Sequence, residues 1–176
     1  MVNIAMIQET LEIEVKCING VEKLKKLSIK QEFLALCQSE CSDLIREHWE
    51  EIAVNKDKIK LNPDWDFYHA LEEQDKLRIF TARDEGNLVG YFVTILSYNP
   101  HYKDHLFAVN DVLFLSKEYR KGFAGVRLVK FAEKCLKEDG VSVLSINTKV
   151  HQPFDQMMDY LNYNLQERVY TKFLGG

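Results

Sequence analysis

The chain has 176 residues, with 23 Lys and Arg against 27 Asp and Glu and a net charge of −4. At 46% apolar and 28% charged it matches an ordinary globular domain, which excludes a collagen-like, low-complexity or wholly disordered chain. A chain of this length buries roughly 70% of the surface it exposes when unfolded, so a single domain over 1–176 needs no staple, and its acidic balance provides no field to recruit nucleic acid or an anionic membrane.

The first 16 residues lack the basic start and apolar run of a signal peptide, and no segment approaches the ~20 apolar residues of a membrane span, so a cytoplasmic protein without a membrane partner is expected. Leu11, Ile13, Val15 and Cys17 alternate with Glu12, Glu14 and Lys16, the period of a strand with one buried face. After Gly20, residues 21–54 read as two or three helices, with apolar groupings such as Leu24 and Leu27, Phe33 and Leu34, and Leu44, Ile45, Trp49 and Ile52. Asn62 before Pro63 reads as an N-cap followed by proline at N1, opening a helix over 64–73.

Residues 77–83 and 88–97 are rich in β-branched and aromatic side chains and flank Asp84-Glu85-Gly86-Asn87, which predicts a hairpin, with Gly90 marking a bulge. Asn99-Pro100 places a loop at 98–104. Residues 106–115 are apolar almost throughout and predict a central strand buried on both faces. Leu128, Phe131, Ala132, Cys135 and Leu136 share one face of a helix opened by Gly125 and ended by Gly140, and 141–147 follow as a strand. Strand, helix and strand within ~40 residues predict a parallel pair. Pro153 opens a shorter helix with Phe154, Met157, Met158 and Leu161 on one side, Asn162 is its left-handed stop, and 165–173 closes the chain as a strand. The class is α/β with a mixed sheet. Cys17, Cys37, Cys41 and Cys135 form no CxxC pair and read as reduced, inert thiols without a metal.

The stretch from Leu113 to Leu128 carries the chemistry. A buried strand runs into a short basic loop, Ser116-Lys117-Glu118-Tyr119-Arg120-Lys121-Gly122, and through Phe123 and Ala124 to a helix N-terminus at Gly125. Free amides in the first turn, the helix dipole and the charges of Arg120 and Lys121 make an anion site. The plainer reading is an ordinary connection with solvated basic residues. No P-loop sequence is present.

Here the chain resembles the GNAT family of N-acetyltransferases, whose coenzyme loop reads R or Q, two residues, G, one residue, then G or A. Arg120 falls on the first position and Gly125 on the last, Leu113 to Arg120 looks like the lead-in, and Leu128 and Val129 match the leucines of the helix. The segments Asn62 to Trp65, Val109 to Leu115 and Glu118 to Gly122 look most like phage- and prophage-encoded members. The resemblance implies a fold with a splayed central parallel strand pair and acetyl transfer from acetyl-CoA to a primary amine by direct attack. It implies that the backbone of Val112, Leu113, Phe114 and Leu115 lines the pantetheine, and that Arg120, Lys121, Gly122, Phe123, Ala124 and Gly125 hold the pyrophosphate. The acceptor is an amine-bearing small molecule or a protein amino group.

Asp111 interrupts the apolar run near where many members of that family place a carboxylate, and two readings stand. It is the general base, or Asn110-Asp111 marks a bulge whose side chains bond the backbone. Phe123 replaces the family's usual glycine, with Gly122 one place earlier, so the loop works if Phe123 needs no positive φ. Aligning Asn162 with the family's terminal glycine puts Met158 where many members carry a proton-donating Tyr. Tyr160 lies about 200° round the helix, leaving Tyr119 or water. His48, His69, His101 and His105 read as structural or surface groups, while His151 borders the expected acceptor cleft. Arg127, Lys130, Lys134 and Lys137 read as a solvated helix face, and Trp49 and Trp65 as core or acceptor wall. The alternative to an enzyme is a catalytically impaired module that still binds CoA, and a third is an unrelated α/β domain with another phosphate ligand.

Overall fold

Leu27 and Ile29 are buried while Lys26 is exposed and Lys30 half-buried, the two-residue period of a strand, and here the chain departs from the helices expected from residue 21 onward. The computed structural model describes residues 8–16 and 22–175. Its first two elements are the strands β1 (Gln8–Lys16) and β2 (Glu22–Glu32), paired antiparallel. The Lys- and Glu-rich composition of 22–32 favours helix locally, but pairing with β1 and β3 and burial of Leu27 and Ile29 in the core override that preference. Cys17, Gly20 and Val21 lie outside the described residues.

The remaining elements are α1 (Leu34–Ile52), α2 (Trp65–Glu73), β3 (Leu77–Asp84), β4 (Asn87–Asn99), β5 (Tyr102–Leu115), a 3-10 turn (Lys117–Tyr119), α3 (Ala124–Glu138), β6 (Val141–Ser145) and α4 (Asp155–Tyr160). The six strands form one sheet in chain order, antiparallel except for the parallel pair β5 and β6. The expected mixed sheet is therefore observed. On one face, Leu34, Cys37, Cys41 and Leu44 of α1 and Leu71 of α2 pack on Leu77, Ile79, Tyr91, Val93 and Phe114. On the other, Leu128, Val129, Phe131, Ala132, Cys135 and Leu136 of α3 pack on residues such as Leu27, Phe80, Phe92 and Leu115. Each such buried Leu, Ile, Val or Phe side chain contributes about 1.5–3 kcal/mol relative to exposure.

Local chemistry sets the element ends. Glu85 and Gly86 both have positive φ, 49° and 92°, the two-residue turn whose twist suits a hairpin. The β3–β4 register shifts beside Gly90, as expected, and a Cβ on Gly90 would stand 2.9 Å from the Phe114 carbonyl. The cap of α2 is Asp64, which accepts from the Phe67 amide at 3.0 Å, so the helix starts after Pro63 instead of at it. Asn99 accepts from the His101 amide at 2.8 Å, and the loop expected at 98–104 shrinks to a turn between β4 and β5. β5 is interior to the sheet, but it is not buried on both faces as expected: Val109 and Asp111 are exposed. Asn162 has the left-handed conformation, φ 61°. Residues 165–173 form no strand: Leu165, Val169 and Tyr170 are exposed, and strand propensity has no effect without a paired neighbour.

A buried ion network joins β2, β3 and α1. Arg83 donates to Glu32 from Nε at 2.7 Å, to Glu40 through both terminal nitrogens at 2.8 and 2.7 Å, and to the Gly86 carbonyl at 2.7 Å, while the Thr81 hydroxyl donates to Glu32. Burial alone would raise the Glu32 carboxyl, but bonds from Arg83, Thr81 and Lys30 outweigh it and hold Glu32 below its ordinary value. Cys37, Cys41 and Cys135 are free and buried; the bond to Cys41 and burial push the Cys37 thiol up, and burial pushes Cys135 up to about 11. Removing Arg83 strands two carboxylates, so Arg83→Met should lose about 3–5 kcal/mol in urea unfolding at pH 7. Because the Glu32 and Glu40 carboxyls are depressed on folding, the parent itself should lose stability as pH falls below the ordinary carboxylate range, and Arg83→Met should lose less over that span.

Candidate active site

β5 has a strand on both sides over only part of its length. It pairs with β4 from Tyr102 to Leu115, but with β6 only from Leu106↔Val141 to Val109↔Ser145. Just beyond, Asn110 reaches across with its side chain: Oδ1 accepts from the Asn147 amide at 2.6 Å and Nδ2 donates to the Asn147 carbonyl at 3.3 Å. A side-chain amide thus stands where a backbone rung would be, and the continuation of β6 is held away from the β5 backbone. On that side Val112, Leu113, Phe114 and Leu115 have no strand partner among the described residues. Backbone donors and acceptors on such an edge suit an extended, amide-bearing ligand.

Asp111 stands at the mouth of this gap. The register Thr94↔Asn110 and Val93↔Val112 leaves it without a partner on β4, a β-bulge. The faces exchange parity across the bulge: Leu106 and Ala108 pack on the α3 side, then Leu113 and Leu115 do so, with Val112 and Phe114 facing α1 and α2. Asp111 is exposed, and its Oδ2 accepts from the Tyr68 hydroxyl of α2 at 2.6 Å. Burial, then the bond to Asp111 and its charge, push the Tyr68 phenol above its ordinary value, so the hydroxyl stays protonated and donates. Sequence reasoning missed Tyr68. Its only signal was its spacing from Trp65 and Leu71 on the inner face of α2, which reads as an apolar position.

The glycine-containing loop runs from the 3-10 turn into α3. Phe123, the N-cap, supplies no side-chain bond, and the amides of Ala124, Gly125 and Val126 precede any intrahelical acceptor, so the first turn is open to an anion. Positive φ falls on Gly122, 75°, while Phe123 has φ −104°, so phenylalanine is tolerated without backbone strain. Its ring is 57% exposed and turned onto Tyr160, with ring centroids 5.6 Å apart. Gly125 serves packing: a Cβ there would stand 3.2 Å from Sδ of Met157 on α4. Lys121 is exposed beside the loop.

Arg120 is exposed but turned onto α1 and the end of β5. Nε donates to the Leu115 carbonyl at 2.6 Å, the two terminal nitrogens donate to Glu51 at 2.6 and 2.8 Å, and the guanidinium lies 5.0 Å over the Phe114 ring. These bonds fasten the loop to the end of α1 and hold the Glu51 carboxyl below its usual range. Arg120 thereby ties the loop that precedes the α3 amides to α1.

The remaining candidates fall elsewhere. Met158 is buried, Tyr160 is exposed with its ring on Phe123, and the buried Tyr119 donates to Asp84 at 2.7 Å. His48 is buried with Nδ1 3.0 Å from the Tyr91 hydroxyl and its ring 4.6 Å from that of Phe114; burial pushes it down to about 4. His69 bonds Gln38, His105 bonds Ser142, and His101 sits in the exposed turn. His151 donates from Nε2 to the Ile52 carbonyl at 3.1 Å, which pins the 147–152 turn to the end of α1. Trp65 is half-buried against Tyr68 and Trp49 half-buried under Lys56. Arg127, Lys130, Lys134 and Lys137 are exposed. A surface depression of about 470 Å³ beside α1 is lined by Asp43, Arg46, Glu47, Glu50, Glu51 and Lys117, none of them a residue expected at the site. Among the described residues no side-chain cluster could hold a metal, and no helix is long and apolar enough to cross a membrane.

The family model of the acetyltransferase (GNAT) family matches residues 41–157. The chain belongs to the GNAT family. Solved structures with this GNAT fold include an aminoglycoside acetyltransferase from an uncultured soil metagenomic sample in complex with sisomicin, 16% identical, with 85% of this chain and 95% of that chain covered at a TM-score of 0.65. The ribosomal-protein-alanine N-acetyltransferase of Brucella melitensis biovar Abortus 2308 is also 16% identical, covering 85% and 99% at 0.61. AAC(6')-Iy in complex with a bisubstrate analog, CoA-S-monomethyl-acetylneamine, is 16% identical over the same shares at 0.58. At such identities the likeness is one of fold. No curated protein matches the chain.

His48 supplies a test of the α1 packing that carries Glu51. Its folded value lies below the unfolded one, so the unfolded chain binds the extra proton and stability should fall as pH drops from 6.5 towards 4. Urea midpoints at pH 7 and 5 should show this decline in the parent and a smaller one in His48→Gln.

Proposed function

We propose that this GNAT protein transfers an acetyl group from acetyl-CoA to a primary amine by direct attack, without a covalent enzyme intermediate. One observation carries the reading: the edge of Val112 to Leu115, which β6 does not pair and whose Leu115 carbonyl is held by Arg120, leads into an uncapped helix N-terminus whose amides follow the turn at Gly122. These groups fit the two halves of the coenzyme. The β5 edge offers amide-to-amide bonds to a pantetheine arm, and the backbone of Gly122, Phe123, Ala124 and Gly125 with the charge of Lys121 suits a pyrophosphate. Arg120 acts behind them by holding the loop to Glu51.

Acetyl-CoA supplies the activated acetyl group as a thioester. Attack requires a neutral amine, and Asp111 is the carboxylate at the gap able to take a proton from the acceptor ammonium. The C–N bond forms as the C–S bond breaks, the nitrogen loses its remaining extra proton, and the departing thiolate takes up one proton. The products are an N-acetyl amine and CoA. The acceptor is an amine-bearing small molecule or a protein amino group; structures of both kinds of acetyltransferase share the fold.

A second reading, a module that binds CoA without efficient transfer, draws on Met158, which carries no proton for the departing thiolate, and on Tyr119, whose hydroxyl already donates to Asp84. Calorimetry with CoA, acetyl-CoA and ATP, followed by thiol release against an amine panel, separates the two. The enzyme reading expects CoA-selective binding and amine-dependent thiol release, and Asp111→Asn should lower kcat by about a hundredfold or more while CoA affinity stays within about twofold. CoA binding with no thiol release from any amine would leave the binding module, and absence of CoA binding would remove both.

A further inference from the structure

We propose that Tyr68 is a positioning residue for the transfer reaction, its hydroxyl fixing the Asp111 carboxylate at the β5 bulge with Oδ2 occupied and Oδ1 free to take the acceptor's proton. The inference rests on the reading of Asp111 as the base. A residue at a bulge lacks the ladder bonds that hold its neighbours, and Asp111 is exposed besides, so its carboxylate needs a partner to keep one orientation. The 2.6 Å bond from Tyr68 is a short, charge-assisted one.

Tyr68 is itself held firmly. Its helix is capped by Asp64, and α2 is docked to the start of α1 by Glu72, which accepts from the Leu34 amide at 2.7 Å, and by the His69–Gln38 bond at 2.8 Å. The rings of Trp65 and Phe67 lie 5.8 and 6.2 Å from that of Tyr68. Packing at this place needs only an aromatic ring. The hydroxyl adds a donor whose partner is a carboxylate 43 residues away in sequence. Tyr68 is the titratable group hydrogen-bonded to Asp111, and no ion pair among the described residues engages the carboxylate.

In the reaction, Oδ1 takes one proton from the acceptor ammonium and passes it to water. Nitrogen then bonds the acetyl carbon, sulfur leaves with the electron pair of the broken C–S bond, and the proton released from nitrogen neutralises the thiolate. Tyr68 keeps its own proton throughout.

Tyr68→Phe preserves the ring and removes the donor. CoA binding by calorimetry should stay within about twofold of the parent, which establishes that the fold is intact. In carbon-13 NMR of the carboxyl groups at pH 7, the Asp111 resonance should move relative to the parent while the other carboxyl resonances stay in place, because one of its oxygens has lost a hydrogen bond. In the transfer assay kcat should be about tenfold lower with the acceptor KM within about threefold. An unmoved Asp111 resonance overturns the proposal, as does a moved one with unaltered kcat. The base assignment fails separately: Asp111→Asn with the parent's activity would show that the reaction does not use this carboxylate, whatever Tyr68 does to its resonance.

Discussion

β5 keeps a strand on each side only as far as Val109, and the geometry of the site depends on that interruption. A sheet gains from each added rung, so two parallel strands separate only where something else satisfies their polar groups. Asn110 does this for one residue of the β6 continuation, by accepting from and donating to the backbone of Asn147. The bulge one position later reverses which side chains face which helix layer, presents Asp111 towards α2, and returns Phe114 to the face where α1 packs. Gap and carboxylate thus arise from two consecutive residues.

The loop that follows depends on a brace reaching back to α1. Arg120 uses its donors on Leu115 and Glu51 and its flat face on Phe114, whose ring also stacks on that of His48. Arg120 thereby orders the loop ahead of the backbone amides at the start of α3. Phe123 fits the same logic. With the left-handed turn on Gly122, the residue at the N-cap can carry a side chain, and its ring packs on Tyr160.

What could be read from the sequence was local. The Glu85-Gly86 turn, the one-sided apolar face of α3 and the stop at Asn162 follow from residues within a few positions of one another. Residues 22–32 were misread because lysines and glutamates favour helix until a strand on either side says otherwise, and 165–173 was misread for the opposite reason, strand propensity without a neighbour. At the site, the glycine-containing loop and the oddness of Asp111 were visible. Its Tyr68 partner 43 residues away and the Glu51 partner of Arg120 69 residues away were not, because no periodicity records which helix will lie over which strand end.

The central claim is that the amides at the start of α3, fed by the unpaired end of β5, take the phosphates of CoA. Backbone nitrogen-15 NMR of the folded protein titrated with CoA tests it most directly. The account predicts that the largest amide shifts cluster at Gly122 to Val126, with a second group at Val112 to Leu115. Saturable binding whose shifts map instead to the depression lined by Asp43, Arg46 and Glu50, with the α3 amides unmoved, would contradict it.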